Sequence, residues 1–193
     1  MFSSLKFKVI LFGFIFTFFS SFGQSYFLGL FNSSIREALS ITHGQFGSIY
    51  ASATLCSSLL LIWVGKKIDD VNIFKFAFFV TILLSFACFF FSRVTSVFLL
   101  FIAIFLMRFS GQGMMSHTAS TTISRYFTKT RGRALSISWF GLSSAEFIMP
   151  VLMVYFLPFI GWQNLWLIFS VTVLIILPIA SFLLIKNLNL DSR

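Results

Sequence analysis

Two ionisable side chains interrupt long apolar runs in this chain. Arg108 closes the run from Phe98 to Met107, and Glu146, 38 residues further on, sits inside the next apolar stretch. In hydrocarbon each would cost roughly 2.5–3.5 kcal/mol on insertion scales unless a partner or water receives it. A guanidinium held in such a place attracts an anion. A carboxyl held there titrates, because burial favours its neutral form and a neighbouring cation its charged form. The two together suit a site that binds a small anionic organic solute and couples it to a proton. Gln112 and Ser116 follow Arg108 at i+4 and i+8, which extends a polar stripe along one helix face. Trp139, Ser143, Met149, Pro150 and Met153 share the side of Glu146, and Gln24, with Ser20 four residues before it, offers a further amide from the N-terminal run. The bland alternative is an Arg108–Glu146 ion pair that only holds two helices together in a structural or inactive protein.

The elements that must position these groups follow from composition. Apolar residues make up 58% of the 193, charged residues 10%, and 30 residues are Phe. A soluble domain carries roughly 25% charged residues, and one of this length could not hide so much apolar surface. The fold class expected is all-α integral membrane. Runs of about 20 apolar residues, continuous rather than alternating, predict helices and exclude a barrel. Six spans are expected at 9–31, 44–64, 73–92, 97–124, 134–158 and 164–185, forming one transmembrane domain over residues 1–193. The apolar character that resumes after Ser21-Phe22-Gly23 favours a retained first helix over a cleaved signal peptide.

Arg108 lies about 12 residues from one end of the fourth run and Glu146 about 12 from the opposite end of the fifth; at about 1.5 Å per residue, antiparallel neighbours bring them level near the midplane. Eleven basic residues fall on alternate connections (Lys6, Lys8, Lys66, Lys67, Lys75, Arg125, Lys129, Arg131, Arg133, Lys186, Arg193), and only Arg36 and Arg93 on the others. This is the positive-inside pattern, and it puts both termini in the cytoplasm. The net charge of +9 is spread over these short clusters rather than gathered on one face, which argues against nucleic acid as a partner.

Other chemistry finds little support. Cys56 and Cys88 lie singly in apolar runs and read as buried inert thiols; His43 and His117 with scattered acids build no metal site, and no cofactor is expected. His117, nine residues from Arg108, falls on the opposite helix face and reads as a packing or hydrogen-bonded histidine. An intramembrane serine protease would need a histidine in a later span than its serine, and none follows His117; the paired Asp of an aspartyl protease reduces to Asp69 and Asp70 in one loop. Aquaporin and mitochondrial-carrier signatures are absent, so catalysis is not expected. The aromatic residues read as mostly lipid-facing, with Trp63, Trp162 and Trp166 as interfacial anchors.

Small residues say how spans meet. Gly44, Ser48 and Ser52 repeat every fourth residue in the second run, a spacing that lets another helix pack closely. Gly23-Gln24 recurs 88 residues later as Gly111-Gln112, and Gly44 with Ser48-Ile49 recurs as Gly132 with Ser136-Ile137. The echo pairs the first span with the fourth and the second with the fifth, as a three-plus-three repeat inverted in the membrane would.

The chain resembles the N-terminal half of a major facilitator superfamily transporter. Gly65-Lys-Lys-Ile-Asp69 is similar to that family's first cytoplasmic motif, although Asp70 and Asn72 stand where the family has a basic residue and a second glycine. Arg108-Phe-Ser-Gly111-Gln112-Gly113 resembles its fourth-helix motif, and Arg131-Gly132-Arg133-Ala134 and Gly161-Trp162 its strings around the fifth. The antiporter motif of the fifth helix is only partly suggested by Gly141 and Pro150. The resemblance implies secondary active transport by alternating access, proton coupling at the Arg108 motif and a gating role for Gly65 and Asp69. It also implies a multi-pass location in the cell membrane, the inner membrane in a bacterium. Family members normally have twelve helices with substrate between two halves. This chain is therefore expected to be a truncated product or, less readily, a half completed by a second copy or by another six-helix polypeptide.

Overall fold

The computed structural model describes residues 4–69 and 71–186, and six of its helical segments are long and apolar enough to cross a membrane. The second, third, fifth and sixth spans (His43–Val64, Ile73–Ser92, Arg131–Ile160 and Trp162–Ile185) are single helices close to the expected bounds. Polar residues fix their starts. Thr42 and Gln45 form a reciprocal capping box, and the Asn72 side chain accepts from the backbone of Phe74 and Lys75.

The first and fourth spans depart from the continuous helices expected. The first runs as a helix over Ser4–Ser20, tightens to a 3-10 turn at Ser21–Gly23, passes through extended Gln24 and resumes at Ser25–Leu30. The fourth is α-helical over Val97–Met107, widens to a π-helix at Arg108–Met115 and returns to α over Ser116–Tyr126. Hydropathy is blind to both changes, since neither alters the apolar run.

Glycines decide where spans touch. Gly23 and Gly111 meet backbone to backbone where the first span crosses the fourth: a Cβ on Gly111 would lie 2.7 Å from the Gly23 nitrogen. The two members of the 88-residue echo are therefore in contact. The first span also packs along the fifth, where Gly141 faces the Phe14 carbonyl and the Thr17 hydroxyl donates to the Ser138 carbonyl at 2.6 Å. The third and sixth spans form the other extensive pair, tied by Ser85 and Ser170, whose hydroxyls each donate to the other's carbonyl at 3.0 and 2.8 Å. First on fifth is matched by fourth on second, while first on fourth and third on sixth each pair equivalent spans, as in an inverted three-plus-three bundle.

Many aromatic rings lie in the core, which corrects two expectations. Trp166 is fully buried among Phe22, Phe27, Phe31, Phe91 and Phe169, with ring centroids 4.6–6.2 Å apart. Trp162 is buried beside it, so only Trp63 of the three expected anchors is exposed. Phe12, Phe16, Phe76 and Phe109 are also interior, so phenylalanine fills the bundle as well as facing lipid.

Burial is uneven among the spans. Only 11% of the second and 17% of the fifth is buried, against 39–56% of the other four. Along the second helix Phe46, Tyr50, Ala53, Ser57 and Leu61 recur every three or four residues and turn inward, while the Gly44–Ser48–Ser52 stripe turns out. Nothing within 4 Å would meet a Cβ on Gly44, Gly47 or Gly132. The small-residue stripe expected to pack on another helix therefore has no partner among the described residues, and Cys56, expected to be buried, is exposed on the same helix.

Candidate functional site

The irregular turn of the first span is where polar chemistry collects. A 3-10 turn that ends in an extended residue leaves backbone carbonyls without helical partners, and each needs a donor in an apolar interior. Arg108 supplies one: its Nη1 donates to the Gly23 carbonyl at 2.9 Å and to the Ser25 hydroxyl at 3.3 Å. The Tyr50 hydroxyl donates to the same Ser25 oxygen at 2.9 Å, and the guanidinium carbon lies 5.4 Å from the Tyr50 ring centroid. Three spans thus converge on one cation: the first through its break, the second through Tyr50 and the fourth through Arg108 itself.

Arg108 is 7% exposed, and its Nε–H has no hydrogen-bond partner. It makes no ion pair among the described residues. Beside it a recess of about 270 Å³ is lined by Ser57, Ser58, Leu61, Arg108, Gln112 and Gly113. The π-helical register explains the fourth-span contribution, because i→i+5 bonding widens the turn and sets Gln112 and Gly113 next to Arg108. Gly113 lets the second span approach: a Cβ there would stand 3.0 Å from a Leu61 methyl.

Glu146 does not join this cluster, which corrects the ion pair considered from the sequence. It is exposed on the fifth helix in line with Trp139 and Ser143. The hydroxyl oxygens of Tyr26 and Ser21 are both buried near the first-span break. The fifth helix packs on both the Ser21–Gly23 turn and the Ser25–Leu30 segment, so Arg108 and the helix that carries Glu146 meet the same break.

The remaining expected residues are scattered. Gln112 lines the recess, but Ser116 does not; its hydroxyl is buried without a partner past the end of the π-helix, where the changed register has broken the expected i+8 alignment. Gln24 is half-buried at the break and also outside the recess. Gly65 ends the second span, and its carbonyl meets His117 Nε2 at 2.9 Å, the hydrogen-bonded role expected of that histidine. Arg125 Nη2 donates to the Ile68 carbonyl at 2.9 Å, so two side chains of the fourth span grip the 3-10 turn Gly65–Asp69. The side chain of Asp69 and the whole of Asp70 lie outside the described residues.

Sequence reading missed Tyr50, Ser25 and Ser57. Tyr50 and Ser57 carry one available signal, their seven-residue spacing on the inward face of the second helix. Ser25 carries none, because its role depends on the break.

Comparison with known proteins gives one finding. The family model described as Major Facilitator Superfamily matches residues 13–190, which includes every residue of the recess and both sides of the first-span break. No curated protein matches the chain.

Proposed function

The chain belongs to the major facilitator superfamily as one six-helix half, a multi-pass membrane protein of solute transport, and we propose that its solute is a small organic anion received at Arg108. One observation carries this reading: a guanidinium 7% exposed, with a free N–H and no ion pair to any described carboxylate, beside a recess edged by Ser57, Ser58 and Gln112. A buried cation held only by a carbonyl, a hydroxyl and a ring keeps most of its field for a ligand. Its planar fork suits a carboxylate or phosphate oxygen pair.

Glu146 is the proton-coupling group in this proposal. It is the one carboxylate within the described spans, and its helix packs against the first-span break. Transport proceeds by alternating access against a second six-helix half, which would cover the second and fifth helices. Their low burial and the exposed Glu146 support that partner, because a carboxylate at this depth is costly against lipid. Gly65 and Asp69 serve as the gating loop, with His117 and Arg125 as its grips.

The test uses the purified full chain in proteoliposomes. Acetate, succinate and inorganic phosphate are compared with glucose for thermal stabilisation and counterflow at several pH values. An anion should stabilise the wild type and not Arg108→Gln, and its uptake should rise as external pH falls in the wild type but not in Glu146→Gln. Glucose stabilising both proteins equally would end the anion reading. Uptake that is independent of pH and unchanged in Glu146→Gln would end the proton coupling.

A further inference from the structure

A second polar recess lies far from the solute site, at the end of the wall formed by the third and sixth spans. That wall faces lipid: Phe79, Phe86 and Phe89 on the third helix are exposed, as are Val171 and Leu174 on the sixth, which follow Leu167 at helical spacing. Where it ends, a recess of about 320 Å³ is lined by Ser92, Arg93, Thr95, Gln163, Asn164 and Leu167. The Arg93 guanidinium stands over the Phe89 ring, 5.5 Å from its centroid, and makes no hydrogen bond or ion pair among the described residues. The Thr95 hydroxyl and the Gln163 amide are likewise uncommitted. Ser92 and Asn164 are occupied locally, donating to the carbonyls of Phe89 and Ile160 at 2.6 and 3.0 Å.

We propose that this recess holds the phosphate of one anionic phospholipid, whose acyl chains lie along the wall from Phe89 to Val171. The chemistry is that of a phosphodiester: one cation, two neutral donors and no lining carboxylate to receive an ammonium head group. The continuous apolar wall beneath selects a lipid over a free phosphate, because only the lipid buries tails there. The molecule supplies its own control. Lys186 stands over Phe182 at 4.1 Å, the same aromatic-x-x-x-cation pair at the end of the sixth helix, and lines neither recess nor donor cluster among the described residues. A cation over a ring occurs at both sites; among the described residues, the donors that would fix a phosphate stand around Arg93 and not around Lys186.

The measurement is native mass spectrometry of the full chain released from nanodiscs of mixed phosphatidylglycerol and phosphatidylcholine. The wild type should retain one phosphatidylglycerol. Retention should fall about fivefold in Arg93→Gln, the loss expected of one interfacial cation. It should fall less in Arg93→Lys and in Gln163→Ala, and be unchanged in Lys186→Gln. Excess inorganic phosphate should not displace the lipid. Equal retention in Arg93→Gln, an equal loss in Lys186→Gln, or displacement by inorganic phosphate would each overturn the proposal. The third result would mark a site for free anions instead.

Discussion

Arg108 and Glu146 carry the same kind of anomaly, a charge among apolar residues, and the fold treats them in opposite ways. Arg108 is sealed into the bundle and held by a carbonyl, a hydroxyl and a ring, without a counter-charge. Glu146 stands on the outside of a helix that is itself barely buried. A guanidinium can be received by backbone oxygen, and the broken first span supplies it. A carboxylate needs N–H or O–H donors, and intact helices leave none on their sides. The broken span thus makes the difference: its freed carbonyl suits only the cation. Glu146 makes no hydrogen bond among the described residues and is left for whatever covers the second and fifth spans.

The comparison breaks most readily at the helix crossing that positions Arg108. Gly23→Val would drive side-chain atoms into the Met107 carbonyl and the Gln112 amide, backbone groups that cannot rotate away. Overpacking of this sort costs typically about 1–3 kcal/mol and occasionally more, and the upper end is expected here. Loss of the folded monomer on size exclusion checks it. The same substitution at Gly132, which touches nothing within 4 Å, should leave the folded yield close to wild type.

Tyr50 sharpens the Arg108 side. Tyr50→Leu removes both the ring beneath the guanidinium and the hydroxyl on Ser25, and should lower stability by about 2 kcal/mol. Tyr50→Phe keeps the ring and should cost about 1 kcal/mol. Chemical denaturation in detergent separates the two, and equal losses would mean that the ring contributes nothing.

His117→Phe tests whether the grip on the gating loop belongs to the same unit. It removes the bond to the Gly65 carbonyl, worth about 1 kcal/mol. Hydrogen exchange should rise at residues 65–69 and stay unchanged around Gly23. The smallest effect is expected at the reciprocal serines of the third and sixth spans. Ser85→Ala combined with Ser170→Ala should cost about 0.6 kcal/mol in a double-mutant cycle, typical of hydrogen bonds between membrane helices.

What was legible in the sequence follows the same division. Span positions could be read because hydropathy is summed over some twenty residues, and Arg108 stood out because nothing else in its run is charged. The Gly23/Gly111 echo was visible, and its physical reason proves to be a backbone contact between the two repeats. The break in the first span was not legible: Ser21 to Gln24 contains no proline, and the turn is stabilised by a side chain 85 residues away. The π-helix in the fourth span was hidden for a similar reason, and with it the misplacement of Ser116. The shared depth of Arg108 and Glu146 suggested a pair; the fold instead buries the one and exposes the other.

The central claim is that Arg108 keeps its charge for a solute anion and does not spend it on Glu146. Exchanging the two charges tests it most directly. In the variant Arg108→Glu with Glu146→Arg, a structural ion pair would re-form with its polarity reversed. Binding of the anion that stabilises the wild type is then measured by isothermal titration calorimetry on folded protein. The account predicts that anion binding is lost and not regained relative to Arg108→Glu alone. Recovery of wild-type affinity in the exchanged protein would contradict it.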